Sequence, residues 1–497
     1  MTATTTAPSN HTADAGTAWP RVLLVAVLTL PLLWGTFTLY TLGQPIFAVI
    51  LLVLAVSFAV IYSAERFYAA RFIYPGIAAV LIFIAFPVVY TIWIGFTNYS
   101  SSNLLTYERT IEVLTARGTV DQSSEEPFAL VPDGDGYRVW LPQSGLLSTP
   151  APLDGSETTA TLEPADEPAN QLSRRDAIAL RGGLGALTLE RPDGTLIRNA
   201  GLRTFGAVVP DYVRTGSDTL QSADGTVLTA NHETGFFQTP DGQNVPPGWR
   251  VPIGWANFER IFTSEGIRGP TLSIFVWTFA FAGLSVFFCF WVGLTLAVIL
   301  QWEHLRGKAI YRVLLILPYA VPSFISILVF KGLFNQNFGE INLILNTLFG
   351  INPSWFTDAG LARTMVVIVN VWLGYPYMML LAMGFLQSVP EDHKKAAALE
   401  GASSVRVFFT ITLPQIIPPF LPLLIAAFAF NFNNLVLIYL LTRGLPDIPG
   451  TVIPAGQTDI LASFTYRLAF DNAGQQFGLA GAITLTLIEF HIHKSTG

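Results

Sequence analysis

Long apolar segments separated by short polar loops dominate this chain. A helix needs about 20 apolar residues to cross the ~30 Å core of a bilayer. Runs of about that length occur near 21–40, 45–63, 73–95, 271–300, 311–333, 364–387 and 415–442. An eighth apolar run begins near Phe477. The pattern predicts an all-α polytopic membrane protein with about 8 transmembrane helices.

One long polar stretch, residues 98–270, interrupts this pattern. Asp-Gly turn sequences recur in it, with β-prone pieces such as 137–141 and 186–189 and a helical piece near 174–181. This predicts a mostly β inserted domain. It has 13 Arg and no Lys against 22 Asp and Glu, a net charge of −9, which argues against nucleic-acid binding. Passive structure and contact with a soluble partner both stay open as its role.

The overall composition agrees with a membrane protein. Of the 497 residues, 51% are hydrophobic and 12% are charged, whereas soluble domains have about 25% charged residues. The single cysteine, Cys289, excludes disulfides and Cys-based metal sites within one chain, and we interpret it as a small buried hydrophobe. Residues 1–20 have a composition typical of disorder. No phosphate-binding Gly-x-x-x-x-Gly-Lys-Ser/Thr motif occurs in the sequence.

Basic residues in the short loops predict the orientation. They concentrate in alternate loops: Arg66 and Arg71; Arg306, Lys308 and Arg312; Lys394, Lys395 and Arg406. The positive-inside rule places these loops and the N-terminus in the cytoplasm, and the insert outside. We therefore divide the chain into a disordered N-terminus at 1–20, three transmembrane helices at 21–97, an extracytoplasmic domain at 98–270 and a helical core at 271–497.

A polar, glycine-containing segment at 388–414 separates two apolar runs. Ser388 and Glu391 have the spacing of a capping box, so a helix is expected to begin there with Pro390 in its first turn. Gly401 is expected to end this helix in the left-handed conformation.

A second short helix is expected after this glycine, capped by Ser403 or Ser404 and ended by Pro414. The result is a helix–glycine–helix elbow between two spans. Its amphipathic character and cytoplasmic position indicate a segment that passes force to a soluble partner.

Uncharged polar and aromatic residues lie inside three apolar runs, where polar groups are costly and usually face a cavity or another helix. Within each run the spacing of three or four residues places them on one face. Pro318 and Pro322 are expected to distort the run at 311–333. Amides and hydroxyls beside aromatic rings suit a sugar, whereas hydrogen bonding between helices is the other interpretation. The candidates are Tyr319, Ser323, Asn370, Gly374, Tyr377, Phe430, Asn431 and Asn434.

The elbow resembles the cytoplasmic loop of ABC-importer permeases, which has the pattern Glu-Ala-Ala, three residues, Gly, nine residues, Ile-x-Leu-Pro. This sequence has Lys in place of Glu at the same spacing. The matching positions, with the adjacent acidic Glu400, are Lys395, Ala396, Ala397, Glu400, Gly401, Ile411, Leu413 and Pro414. The resemblance implies that these residues form the loop that couples the permease to its ATPase.

Most of the chain is similar to the larger permease subunit of maltose/maltodextrin importers, including the large insert. The similar segments are 71–76, 96–101, 306–323, 370–378 and 428–434. This resemblance implies a type I ABC importer permease in the cytoplasmic membrane that moves α-glucosides by alternating access. It also implies that the eight candidate residues line a sugar pocket, in which Ala427 replaces a serine of the family.

The resemblance further implies several partners. They are a second permease subunit, a homodimeric cytoplasmic ATPase and an extracytoplasmic maltose-binding protein that the insert helps to hold. ATP and Mg would bind the ATPase, and this chain would bind no cofactor and catalyse no reaction.

The last apolar run ends near Ile488, which is short for a span, so we expect a truncated or frame-shifted end. A membrane receptor would need a cytoplasmic output domain, and a membrane enzyme would need an acid/base or nucleophile cluster at one membrane face. Neither is evident in the sequence, so a transport subunit is the leading interpretation.

Overall fold

The computed structural model describes residues 18–134, 136–201, 203–471 and 475–495. It has two compact units: a helical unit up to Thr97 and from Gly254 onward, and an inserted unit spanning 98–253. Of the predicted disordered segment 1–20, residues 1–17 lie outside the described residues, whereas residues 18–20 form the start of α1, so the prediction is wrong for these three.

The helices are numbered in chain order. They are α1 Ala18–Thr41, α2 Pro45–Ser63, α3 Tyr68–Val80, α4 Phe86–Gly95, α5 Tyr107–Thr115, α6 Arg174–Ala179, α7 Arg181–Ala186, α8 Ala256–Thr263, α9 Glu265–Gln301, α10 Lys308–Ala320, α11 Ser323–Leu333, α12 Glu340–Phe349, α13 Ala359–Ser388, α14 Glu391–Leu399, α15 Ser404–Val407, α16 Leu413–Phe432, α17 Leu435–Leu441, α18 Leu461–Tyr466 and α19 Phe477–Ser495. Within the described ranges, π-helical turns lie at Leu81–Ala85, Phe408–Thr412 and Arg467–Asp471.

Membrane-length helices form the helical unit, as the sequence predicts. Among the described residues, six helices are long and apolar enough to cross a membrane, and a seventh span results if α10 and α11, bent by 92°, count as one. These helices, together with the β-rich insert, confirm the predicted fold class of a polytopic helical membrane protein. Two predicted spans are not straight helices: 311–333 bends between α10 and α11, and 415–442 breaks between α16 and α17.

The insert is shorter than predicted, because residues 254–270 belong to the helical unit. They form α8 and the start of α9, in which Ile261 and Ile267 are buried. Both pack in a cluster with Leu479 and Ile483 of α19. The polar composition of this segment therefore reflects an amphipathic helix at the end of a span, not a continuation of the insert.

Small residues bring α9 and α13 close together at the centre of the helical unit. A Cβ added at Gly293 of α9 would lie 2.7 Å from the backbone nitrogen of Met379, and one at Gly374 of α13 would lie 2.6 Å from Cys289 Sγ. Such close approach between helices needs glycine, as is common in membrane proteins. The pair also buries Phe420 of α16, so these three helices share one core.

The last helix, α19, packs against α4. A Cβ at Gly478 would lie 2.3 Å from the carbonyl oxygen of Thr97, and one at Gly481 would lie 3.1 Å from that of Thr91. The side chains beyond Thr486, which include the predicted polar end, lie outside the described part of the chain.

The inserted unit is mostly β, as predicted. One sheet has nine strands in the order β1-β9-β8-β7-β6-β5-β4-β3, with β2 also paired to β9, and the other is the meander β10 to β14. The strands are β1 Gly118–Val120, β2 Glu126–Pro127, β3 Ala129–Asp133, β4 Gly136–Leu141, β5 Leu146–Ser148, β6 Thr158–Pro164, β7 Leu187–Glu190, β8 Leu196–Asn199, β9 Thr204–Pro210, β10 Tyr212–Arg214, β11 Thr219–Ser222, β12 Val227–Asn231, β13 Phe236–Gln238 and β14 Asn244–Val245.

Each sheet of the insert has its own hydrophobic core. The first buries Leu189, Ile197 and Phe205 at 0% exposure, with Leu184 of α7 packed against them. In the second, Leu114 of α5 packs on the face of the meander. Buried residues alternate with half-buried ones along strands such as β7, which produces these one-sided cores.

Candidate functional site

A cavity of about 920 Å³ lies among α9, α10, α11, α13, α16 and α17. Its size falls in the range of small-molecule sites, about 300–1,000 Å³. All eight predicted substrate residues line it: Tyr319, Ser323, Asn370, Gly374, Tyr377, Phe430, Asn431 and Asn434. The fold therefore brings together residues from three predicted spans.

A sharp bend places the first two of these residues. Tyr319 lies in the last turn of α10, Pro322 precedes α11 and Ser323 begins it. The distortion predicted from Pro318 and Pro322 is confirmed by the 92° bend. Tyr319 and Ser323 consequently lie on two helices and not on one helical face, yet both line the cavity.

A second break places the amides. α16 ends at Phe432, and Asn434 caps α17 by accepting a hydrogen bond from the backbone N–H of Leu437 at 3.3 Å. The prediction that Asn431 and Asn434 share a face of one continuous helix is wrong, because asparagine competes for backbone hydrogen bonds and favours caps over helix interiors. The break nevertheless leaves both amides at the cavity wall.

Three asparagines form a hydrogen-bonded amide cluster. Asn370 Nδ2 donates to Asn431 Oδ1 at 2.7 Å, and Asn434 Nδ2 donates to Asn370 Oδ1 at 3.3 Å. Asn431 Nδ2 also donates to the carbonyl oxygen of Ala427 at 2.8 Å. An amide has two N–H donors and two acceptor lone pairs, so each keeps capacity for a ligand. Interhelical bonding and ligand binding are therefore compatible at this cluster.

The aromatic residues of α16 divide between packing and cavity. Phe428 and Phe432 pack around Phe279 of α9, with ring centroids 6.0 and 5.1 Å away. Phe430 lies at the cavity with 71% of its surface exposed. Tyr319 and Tyr377 are also exposed there, so two phenol groups and one apolar ring face the same space as the amides.

Cys289 forms part of the wall, which the sequence did not predict. It lines the cavity behind Gly374 and is 4% exposed, consistent with its predicted role as a small buried hydrophobe. Other apolar wall residues that sequence reasoning missed are Val286, Leu373, Met378, Leu423 and Ala426. No sequence signal marks them, because an apolar side chain in a span can equally face lipid, a helix or a cavity.

Ala427, at the position where the family has serine, also lines the cavity. Its methyl group offers no hydroxyl there, and its carbonyl oxygen is engaged by Asn431.

The elbow at 388–414 has the predicted helix–glycine–helix form. Gly401 has a φ of +80°. The N–H of Gly401 bonds to the carbonyl of Ala398, and that of Ala402 bonds to the carbonyl of Ala397. These are the two hydrogen bonds of a Schellman motif. Ser403 then caps α15 by accepting from Arg406 N at 3.4 Å, as predicted.

Two details of the elbow differ from the prediction. Ser388 ends α13 and donates to the carbonyl of Phe385, so it forms no capping box, and Pro390 is the N-cap of α14. Pro414 does not end a helix, because it occupies the first turn of α16, where its missing N–H costs nothing. One continuous helical stretch therefore runs from Ser404 through Phe432.

α14 has no buried residue within this chain. Of the predicted coupling residues, Lys395, Ala396, Glu400, Gly401 and Pro414 are exposed, and Ala397, Ile411 and Leu413 are half-buried. Lys395 Nζ lies 2.8 Å from Glu391 Oε2. This hydrogen bond lowers the pKa of Glu391 and raises that of Lys395.

The structure defines a membrane permease: spanning helices enclose a polar and aromatic cavity, and an exposed elbow joins two of them. Two family models match this chain and agree with a membrane permease. Residues 289–491 match the binding-protein-dependent transport system inner membrane component, and residues 105–254 match the MalF P2 domain of the maltose transport system permease.

The full-length relatives narrow this assignment. The chain is 47% identical to the maltose/maltodextrin transport system permease protein MalF of Vibrio vulnificus (strain YJ016), over 92% of this chain and 89% of the relative. It is 48% identical to that of Escherichia coli (strain K12), over 90% of each chain. The chain belongs to the MalF family of ABC-importer permease subunits. A solved bacterial alginate ABC transporter aligns with 49% of this chain and 84% of its own at 21% identity and a TM-score of 0.40.

Proposed function

We propose that this permease subunit moves maltose and maltodextrins across the cytoplasmic membrane, and that the cavity is its sugar site. The amide cluster next to exposed rings carries this proposal. Sugar hydroxyls need paired donors and acceptors, whereas the C–H face of a pyranose packs on an aromatic ring. None of the residues that line the described cavity is Asp, Glu, Lys or Arg, which favours a neutral ligand.

The cavity also supports a second permease subunit as partner. Phe430 and Tyr319 are 71% and 57% exposed in this chain alone. Rings of this size at a sugar site are expected to be enclosed during transport, because water would otherwise compete for the polar groups. We propose that the second subunit closes this side.

The elbow is the proposed contact for a homodimeric ATPase, with the N-terminus and α14 in the cytoplasm and the insert outside. Basic residues in the short loops support this orientation. An extracytoplasmic maltose-binding protein would deliver the sugar and contact the insert. ATP-driven closure of the ATPase would move the elbow and switch the access of the cavity from one side to the other.

Sugar binding to the purified transporter complex tests the site. We expect Tyr377→Ala to raise the Kd for radiolabelled maltose about tenfold, because a ring and a hydroxyl are lost together. Equilibrium dialysis without the maltose-binding protein measures this pocket directly.

Tyr40→Ala is the matched control, since Tyr40 is an exposed tyrosine in α1 that does not line the cavity. It should leave the Kd unchanged. Equal affinities for the wild type and Tyr377→Ala would contradict the assignment of this cavity.

The charge of Lys395 allows a test of the proposed contact between the elbow and the ATPase. Lys395→Glu is expected to retain or strengthen maltose-stimulated ATP hydrolysis, because it restores the acidic residue usual in the family. It removes an exposed pair with Glu391 and places a second carboxylate four residues from it, and exposed i,i+4 pairs of either kind change helix stability by only about 0.2–0.5 kcal/mol. The measurement is ATPase activity of the reconstituted complex with the maltose-binding protein.

Lys394→Glu makes the same charge change at the neighbouring position and controls for nonspecific electrostatics. Loss of ATPase docking in Lys395→Glu, with docking retained in Lys394→Glu, would show that this chain uses a different charge pairing.

A further inference from the structure

A buried ion pair holds together the segment that follows α17. Asp459 is fully buried, and its Oδ2 lies 2.6 Å from Arg467 Nη1. The same carboxylate accepts hydrogen bonds from Gly456 N at 2.8 Å and Ser463 Oγ at 2.7 Å. Arg467 also reaches the exposed Asp447 at 2.9 Å. We call the buried four, Asp459, Arg467, Gly456 and Ser463, the Asp459 cluster; Asp447 lies outside it.

Glycines allow this pair to form. A Cβ at Gly444 would lie 2.2 Å from Asp459 Oδ1 and 2.5 Å from Arg467 Nη1. Gly444 also has a φ of +83°, which favours glycine. A Cβ at Gly456 would lie 2.0 Å from the carbonyl oxygen of Gly444. The two loop segments on either side of the ion pair therefore touch through their backbones.

Polar contacts attach this segment to α9 and α13. Arg363 of α13 donates to the backbone oxygen of Gln457 at 2.7 Å, and its guanidinium lies over the ring of Trp277 of α9. The backbone N–H of Leu461 donates to Thr278 Oγ1 at 3.0 Å. α9 and α13 are the two helices that supply Cys289, Asn370, Gly374 and Tyr377 to the cavity.

The segment also fixes the far end of α17. Thr442, which caps this end, shares a hydrogen bond of 2.8 Å with Thr458. α17 has seven residues and is about 10 Å long. Leu437, Ile438 and Leu441 are fully buried in one hydrophobic core, so packing holds this short helix along one face. Its other end begins at Asn434, in the amide cluster.

Separating the partners of a buried ion pair leaves an uncompensated charge, which is strongly unfavourable. The pair therefore favours the loop conformation that keeps Asp459 and Arg467 in contact. We propose that the Asp459 cluster is a positioning unit for the sugar pocket: it fixes the far end of α17 and thereby sets the position of Asn434. The proposal rests on the proposed function, because it takes the cavity as the maltose site. Asp459 and Arg467 touch no ligand and act through α17.

The test compares maltose affinities in the purified complex. Asp459→Asn keeps the shape of the side chain but removes the charge that faces Arg467. We expect the Kd for maltose to rise about tenfold at a normal yield of assembled complex. Arg467→Lys keeps the charge that faces Asp459, so it should raise the Kd less than Asp459→Asn does. Asp447→Asn is the matched control, because Asp447 faces the same arginine from an exposed position, and it should change the Kd less than about twofold.

A double-mutant cycle with Asn434→Ala separates positioning from a general structural role. If the cluster acts through Asn434, adding Asp459→Asn to Asn434→Ala should change the Kd by less than about twofold, whereas independent effects would multiply. Gly444→Ala breaks the cluster without removing a charge and should reproduce the Asp459→Asn phenotype.

Multiplying effects in the cycle, or a lower yield with an unchanged Kd in both single variants, would overturn the proposal. Failure of the proposed function is a different result, because the wild-type complex would then not bind maltose at all.

Discussion

Asn370→Ala is expected to weaken maltose binding about thirtyfold. Asn370 is the central member of the amide cluster, since it donates to Asn431 and accepts from Asn434. Its loss removes any bond to the sugar and also leaves two partners unsatisfied. An unsatisfied buried polar group costs about 1–3 kcal/mol, and about 2 kcal/mol corresponds to about thirtyfold in affinity.

Equilibrium dialysis of the purified complex measures the effect, together with maltose uptake by cells at saturating maltose-binding protein. Asn346→Ala is the matched control, because Asn346 is an exposed asparagine of α12 that does not line the cavity. A wild-type affinity in Asn370→Ala would mean that the cluster serves only to join α13 to α16 and α17.

Gly374→Ala is expected to destabilise the helical unit and to weaken maltose binding about tenfold or more. The new Cβ would lie 2.6 Å from Cys289 Sγ, so α9 and α13 must separate or the sulfur must move into the cavity. Overpacking of this kind costs about 1–3 kcal/mol. Thermal unfolding of the purified protein and maltose binding are the two measurements.

The neighbouring residues supply both a rescue and a control. Cys289→Ala removes the sulfur, so the double variant Gly374→Ala with Cys289→Ala should regain most of the wild-type melting temperature. Gly384→Ala lies in the same helix, where an added Cβ meets no atom within 4 Å, and it should be neutral or slightly stabilising. Failure of the rescue would show that the contact with Cys289 is not the cause.

The spans and the elbow could be predicted from the sequence because they depend on local properties. About 20 apolar residues in a row must form a helix in a bilayer, and the structure has such helices at Pro45–Ser63 and Glu265–Gln301. Gly401 and Ser403 likewise have the conformation and the capping bond that their residue types predict. The prediction of a capping box at Ser388 was wrong, because α13 extends through Ser388 and no helix begins at this residue.

The identity of the candidate pocket residues came from the spacing of polar groups and from the family resemblance. Their arrangement required the tertiary structure. Asn431 contacts Asn370 from α16 and Asn434 contacts it from the start of α17, across a helix break, and Tyr319 and Ser323 share the cavity across a 92° bend. The sequence contains no signal for Cys289 as a wall residue or for the pairing of Asp459 with Arg467.

By itself, the sequence determined that this is a polytopic membrane protein with a β-rich insert and a helix–glycine–helix elbow, because hydrophobic length, turn residues and caps act over a few neighbouring positions. Only the tertiary structure decided which side chains face the cavity, how the amides pair and what anchors α17. These features depend on contacts between different helices and loops, such as that of Asn370 with Asn431, and no local pattern specifies such contacts.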